Sequence, residues 1–348
     1  MSSIIDFDAV REQVAAKYIT ARKHPTADLF IYNYTPKAMW EGHWTPETMA
    51  CRGLIADGRD EIIARPFEKF FNYEQLDGKV PAEPFEVYEK LDGCLAILYW
   101  IGDEPFIATR GSFESEQAVR ATEVLRTKKR DWLPHLQKGW TYLLEFVSPH
   151  FRIVVDYGET EDLFLLAAIH TETGQEAPLD YIHWQPKAKR YDWIADLSEL
   201  KKFENDEDEG FVVRFESGFR CKIKFAEYLR LHKILTQCSS KSIWESLRDG
   251  KPLDEILERV PDEFYKWVER TRADLLAQFA CLENAARGVY EARPIADERR
   301  IVAEYFKSRF PHPAILFNML DGKDYAGVVW KLLRPKFEKP FREDADVG

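Results

Sequence analysis

The chain has 348 residues, 45% of them hydrophobic and 31% charged, with a formal net charge of −11 at pH 7. That length suits two domains with a sizeable core, and the acidic surplus argues against indiscriminate nucleic-acid binding while leaving room for a local cationic cleft. No apolar run approaches the roughly 20 residues of a membrane helix, and "MSSIIDFDAVREQV" lacks the basic-then-apolar pattern of a secretory signal; no membrane association and a cytoplasmic location are expected.

In chain order, residues 1–25 are predicted as a helix, with Ile5, Phe7, Val10 and Val14 as its apolar positions and "KHPTAD" as its end. From Leu29 to about Phe225, short apolar segments such as "LFIYNY", "TYLLEFV" and "LFLLAAI" alternate with turns. Gly102-Asp103 and Ser217-Gly218 each separate two strand-like runs and predict hairpins. With the helical piece "SEQAVRATEVLRTKKRDWL", this stretch is of the α+β class. After Ser239 the pattern changes: Phe264, Val268, Thr271, Leu275, Phe279 and Leu282 recur at steps of three and four, and "DERRIVAEYFKSRF" and "DYAGVVWKLLRPKF" predict further helices. A boundary near residue 240 is expected, giving domains 1–240 and 241–348. The five cysteines show no CxxC pair and the eight histidines no HExxH pattern, so reduced thiols and no structural zinc are expected.

Four local features carry possible chemistry. Lys90-Leu91-Asp92-Gly93 places a cation and an anion on a tight turn at the mouth of the strand "CLAILYW". In "YLLEFV", Glu145 shares a face with Leu143 and Thr141, with Tyr142, Leu144 and Phe146 on the other; a carboxylate in so apolar a strand must meet donors. Glu209-Gly210 opens the strand "FVVRF", and in "RCKIKF" Lys222 and Lys224 point to one face, where two parallel ammonium groups invite an anion between them. Each feature has an ordinary structural reading: a surface turn, a satisfied buried carboxylate, a solvated acidic loop, an edge strand. Their conjunction describes a pocket with one nucleophilic lysine, two carboxylates and phosphate-binding cations.

The order of these motifs resembles that of the covalent nucleotidyltransferases (DNA ligases, RNA ligases and capping enzymes). More closely, "IYNY", "ACRGLIADG", "ARPFEKFFNYEQ", "EKLDGCLAI", "TRGSFESEQA", "LEFVSPHFRIVV", "EGFVVRF" and "CKIKFAEYLRLH" resemble the T-even phage RNA ligase family, which includes the ligase domain of fungal tRNA ligases. The likeness runs from about residue 30 to 235. It implies an α+β nucleotidyltransferase domain, an ATP-grasp-like antiparallel-sheet ligase domain, followed by a helical C-terminal domain. It also implies an ATP-dependent RNA ligase using Mg²⁺, with Mn²⁺ as an alternative ion. The RNA partner would offer 5′-phosphate and 3′-hydroxyl ends, as in tRNA or other RNA repair.

By that resemblance Lys90 attacks the α-phosphorus of ATP, Glu145 accepts from the ribose hydroxyls, and Glu209 helps hold hydrated Mg²⁺. Lys222 and Lys224 bracket the α-phosphate. Arg52 and Lys69 match residues at the nucleotide phosphates, Phe71 and Tyr228 aromatic positions lining the site, and Tyr32 and Val212 positions near the nucleoside. Glu89 falls in the nucleotide-binding motif beside Lys90. Arg110 stands where relatives often carry lysine, keeping charge but changing fork geometry, and Asp254 matches a metal-binding acid. A free lysine is neutral about once in 2,500 at pH 7, a deficit of about 4.6 kcal/mol. Partial desolvation and nearby cations, Arg52, Lys69, Lys222 and Lys224 together with a divalent metal, are expected to offset it by lowering the pKa of Lys90. Basic clusters Lys128-Lys129-Arg130 and Lys187, Lys189 and Arg190 are candidate RNA contacts. Two other readings are a DNA ligase or GTP-using capping enzyme, both of which usually carry an OB-type domain after the last lysine motif, and a non-catalytic RNA-end-binding protein.

Overall fold

In a computed structural model, residues 5–257, 260, 262–295 and 298–338 are described, apart from the side chains of Ser198, Asp254, Glu255, Asp262 and Glu263. The contacts divide the chain into a unit of residues 1–230 and a unit of residues 231–342.

The first unit begins with the helix Phe7–Ala15, capped by the Asp6 carboxylate, which accepts from the N–H groups of Asp8 and Ala9. The predicted helix over residues 1–25 is thus too long. Residues 1–4 lie outside the described ones, the helix ends at Ala15, and Ile19–Lys23 form strand β1, because Lys17 turns the chain through a left-handed φ of 64°. Strands β2 (Leu29–Tyr34), β3 (Arg52–Asp57) and β4 (Ile62–Ala64) complete an antiparallel sheet in the order β1-β2-β3-β4. Period-two alternation sorts β2: Leu29 and Ile31 enter one core, while Phe30 and Tyr32 pack with Phe7 and Val10 under the first helix.

Next come β5 (Phe71–Asn72) and β6 (Phe85–Glu89). The chain then leaves to build a five-stranded antiparallel sheet from β7 (Cys94–Ile101), β8 (Glu104–Ala108), β9 (Trp140–Val147), β10 (Asp162–His170) and β11 (Glu176–Ala177), in the order β11-β10-β9-β7-β8. It returns as β12 (Gly210–Phe215) and β13 (Arg220–Lys224), which close a third sheet in the order β5-β13-β12-β6. Both predicted hairpins form, with Gly102 (φ 60°) and Gly218 (φ 88°) in their turns.

One face of the five-stranded sheet packs on the first sheet through Ile97, Tyr99, Leu143 and Ala167. Its other face meets the helix Glu116–Thr127 and Trp184 through Ala96, Leu98, Tyr142, Leu144 and Phe146. The third sheet is assembled from two separate visits of the chain, so Lys90 just after β6, Glu209 just before β12, and Lys222 and Lys224 on β13 become neighbours.

In the second unit the regular elements among the described residues are all helical. The 30-residue helix Asp262–Glu291 buries Phe264, Val268 and Leu275 of the predicted stripe, and Ala286 joins Val302, Phe306, Ile315, Leu316 and Val329 from later helices in one core. No helix among the described residues is long and apolar enough to cross a membrane.

Gly210 is the tightest point of the third sheet. Its φ is 143°, and a Cβ there would lie 2.0 Å from the carbonyl oxygen of Ile223. Gly210→Ala should therefore cost about 3 kcal/mol or more, through backbone strain and displacement of β13, read as a lowered midpoint in chemical denaturation.

Candidate active site

The Lys90 turn is positioned from three directions. Its backbone N–H donates to the carbonyl of Gly210 (2.9 Å), tying it to the start of β12. The N–H of Gly93 donates to Glu145 Oε1 (3.2 Å) from the middle sheet. A Cβ on Gly93 would come within 2.5 Å of the Phe146 carbonyl oxygen and 3.0 Å of Glu145 Cγ, so only glycine lets this turn seat against β9. Asp92, 4% exposed, accepts on Oδ2 from the N–H groups of Val154 and Val155 (2.8 Å each) and on Oδ1 from the hydroxyl of Tyr228 (2.8 Å).

Glu209 is the electrostatic centre. Its side chain is 2% exposed, with Lys90 Nζ 2.7 Å and Lys224 Nζ 3.0 Å from its two oxygens. Burial alone would raise its pKa, but the two ammonium groups outweigh that and hold it below the ordinary carboxylate value. Lys90 shows the converse: burial pulls its pKa down, and Glu209, helped by Glu145 and Asp92, more than restores it, so the ammonium form is favoured. In the metal-free protein the expected lowering of Lys90 by Arg52, Lys69, Lys222 and Lys224 is corrected, because Glu209 lies 2.7 Å from its amine.

The cations depress one another instead. Lys222 lies in register with Val212 on β12 and Asn72 on β5, and among the described residues its ammonium has no ion pair. Burial first, then Lys90, Lys224, Lys69 and Arg52, pull it down to about 6. Lys69 falls to about 8, through burial and then Arg52, Arg110 and Lys224. Arg52 is lowered chiefly by burial. Glu145 is pushed up to about 7 by burial, with Lys90 opposing. Basic side chains from β3, β13 and the segment before β5 thus crowd together beside Lys90, an arrangement suited to a polyphosphate.

Aromatic side chains form one wall. Lys69 Nζ sits 4.8 Å from the ring centre of Phe71 and 5.4 Å from that of Trp44, whose indole meets Phe71 (5.7 Å) and Tyr34 (5.2 Å) edge-on. Arg110 donates to the Tyr34 hydroxyl (3.1 Å). Lys224 stands 5.0 Å from the ring of Tyr228.

Lys90, Glu145, Glu209, Lys222, Lys224, Arg52, Lys69, Arg110, Phe71, Tyr228 and Val212 are therefore brought around one turn and the strands beside it. The remaining candidate residues make other contacts. Tyr32 is a core residue against Phe7 (5.8 Å between ring centres); strand alternation turns it under the first helix, and Tyr34, two residues on, reaches the cations. Glu89 accepts the Lys189 N–H (2.6 Å) and so anchors the segment alongside β6. The basic clusters are largely consumed internally: Lys129 is buried with Asp162 (2.6 Å) and the Gln185 carbonyl, Lys128 pairs with Glu161, Lys187 donates to the Leu179 carbonyl, and Arg190 pairs with Asp180 and Asp192. Asp254 begins the short helix Asp254–Leu257 in the second unit, and its side chain lies outside the described residues. The sequence reading missed Tyr34, Trp44 and the role of Asp92. The repeat of tyrosine in "IYNY" was an available signal for the first, whereas Trp44 has no local one.

Among the described residues, no three His, Cys, Asp or Glu side chains gather into a metal cage. The carboxylates beside Lys90 are Glu209 and Glu145, while Asp92 already accepts three hydrogen bonds. That set fits a divalent ion such as Mg²⁺ that keeps most of its water and bridges to phosphate oxygens.

Comparison with known proteins adds a family assignment. A family model described as RNA ligase matches residues 50–228. The chain is 28% identical over 249 residues to a protein of Autographa californica nuclear polyhedrosis virus named "Putative bifunctional polynucleotide kinase/RNA ligase", covering 62% of this chain and 35% of that one. It is 24% identical over 316 residues to the RNA ligase of Rhodothermus phage RM378 (68% and 70% of the two chains). With RNA ligase 1 of bacteriophage TS2126 the identity is 30% over 222 residues (55% and 53%). The chain thus spans from about a third to 70% of the length of these relatives.

The depressed pKa of Lys222 makes anion binding proton-linked. In the free protein Lys222 is mostly neutral above about pH 6; a bound polyphosphate favours its charged form and returns the pKa toward the ordinary lysine value. Pyrophosphate binding near pH 7.5 should take up a proton and strengthen as pH falls from 9 toward 7. Calorimetry in buffers of differing ionisation enthalpy would measure the uptake, and Lys222→Met should remove most of it.

Proposed function

The chain belongs to the RNA ligase family, and from that premise we propose that it is an ATP-dependent RNA ligase sealing 5′-phosphate to 3′-hydroxyl ends through a lysyl-AMP intermediate on Lys90. The observation that carries this reading is the position of the Lys90 amine. It sits on a braced turn, 2.7 Å from Glu209, with the basic side chains of Lys222, Lys224, Lys69 and Arg52 gathered close to one another.

The polyphosphate of ATP lies along Arg52, Lys69, Arg110, Lys222 and Lys224, with Lys222 and Lys224 at the α-phosphate. These fixed charges stabilise the oxygens as charge builds on them. Glu145 takes the ribose hydroxyls, a role suited to a half-buried carboxylate at the end of an apolar face. Phe71, Trp44 and Tyr34 line the site, and Val212 on β12 stands opposite Lys222 on β13. Because Glu209 favours the ammonium form of Lys90 in the free protein, the amine must leave that pair before it can attack. A divalent ion, held by Glu209 through its water shell, would supply positive charge that draws the carboxylate away and favours the neutral amine.

Lys90 Nζ then forms the N–P bond as the bond between the α-phosphorus and the pyrophosphate oxygen breaks. An oxygen of the RNA 5′-phosphate next takes the adenylyl group from the lysine. Finally the 3′-hydroxyl, losing its proton, bonds the 5′-phosphorus and AMP leaves. RNA as the polymer is supported by the family and by the helical elements of the second unit, where the alternatives usually place an OB-type domain. Repair of tRNA or a similar broken RNA is the proposed setting.

Incubation with α-labelled ATP and Mg²⁺ should place acid-labile label on the protein, and Lys90→Ala should abolish it. Label from GTP and not ATP, or equal sealing of nicked duplex DNA and of RNA ends, would overturn the reading. We also propose a domain boundary near residue 240. A chain ending there should label itself as the full chain does while ligating structured RNA less well; unchanged discrimination between hairpin and linear RNA would count against a substrate-selecting role for the helices.

A further inference from the structure

Tyr157 has no part in the chemistry just described, yet it touches the nucleophile's turn. It follows the segment whose Val154 and Val155 N–H groups both donate to Asp92 Oδ2 (2.8 Å each). Its own hydroxyl oxygen accepts the backbone N–H of Asp92 at 2.8 Å. Asp92 is therefore gripped at both its side chain and its main chain by three residues of one short segment, Val154, Val155 and Tyr157, with Tyr228 donating to the other carboxylate oxygen at 2.8 Å. The turn between β6 and β7 is short, and Lys90 lies two residues before Asp92. Any rotation of the Asp92 peptide is transmitted to the direction in which the lysine amine points. The main-chain bond from Lys90 to Gly210 (2.9 Å) fixes the other side of the same turn.

We propose that Tyr157 is a positioning residue for Lys90: its hydroxyl locks the Asp92 peptide so that the amine is aimed into the cation-lined space. The inference rests on the reading of Lys90 as nucleophile. The chemical reason is distance sensitivity. In-line attack requires the amine within a few tenths of an ångström of its productive line, and misplacement by about 1 Å costs about 100-fold in rate. A backbone N–H without an acceptor would relieve itself by rotating toward another oxygen or toward water, and that rotation is what moves the lysine.

The test separates aim from fold. Tyr157→Phe keeps the ring and removes the acceptor. Its formation of labelled protein from α-labelled ATP should slow by about 10- to 100-fold, with the dissociation constant for ATP unchanged. Sealing of RNA that already carries a 5′-adenylyl group needs no attack by Lys90, and should proceed at the wild-type rate. Equal losses on ATP and on adenylylated RNA would make Tyr157 a general structural residue and overturn the proposal, as would no loss on either or weakened ATP binding alone. A wild-type chain that takes no label from ATP would remove the reading of Lys90 itself, and the inference with it.

Discussion

One buried carboxylate governs the site. Glu209, closed off from solvent, joins Lys90 at 2.7 Å and Lys224 at 3.0 Å, and the three groups come from three separate stretches of chain. An isolated carboxylate at that depth would be costly; two ammonium partners make it tolerable, and it in turn makes the close approach of two lysines tolerable. The third sheet brings these residues together only because β6 and β12 are neighbours, with Gly210 letting β13 approach closely enough to deliver Lys224.

The distribution of protons follows from the same geometry. Carboxylates crowd the amine of Lys90, so the resting protein favours its protonated form. Cations crowd Lys222, which is lowered to about 6 and left without an ion pair among the described residues. Basic groups thus depress one another while the amine of Lys90 stays protonated. On the proposed reading, a bound polyphosphate would answer the cations, and a divalent ion drawing on Glu209 would favour the neutral amine.

Around this network the middle sheet acts as an anvil. Its faces are filled by apolar side chains from the first sheet on one side and a helix on the other, leaving Glu145 as the charged group of β9 at the site end. The segment 148–157, leading out of β9, turns back to grip Asp92. Rigid strands thus supply the platform, and a short connecting segment supplies the hydrogen bonds that hold the reactive turn.

Much of this was legible in the sequence because strands alternate their side chains. That rule placed Lys222 with Lys224 on one face and opposed Glu145 to Tyr142, Leu144 and Phe146, while turn residues found both hairpins and steps of three and four marked the helical stripe of the second unit. The order of motifs indicated the family. What local pattern could not decide was which neighbour each charge would meet. Lys129 reads as an exposed base and is buried on Asp162; Glu89 reads as a ligand and holds a backbone N–H; Tyr32 reads as a site aromatic and fills the core, while Tyr34 takes that place. The sign of the shift on Lys90 was likewise beyond the sequence, since it depends on Glu209 lying nearer than any cation. Residue type and spacing determine which face a side chain joins, but Coulomb energy depends on distances across the fold, and those distances arise only when segments more than a hundred residues apart are packed together.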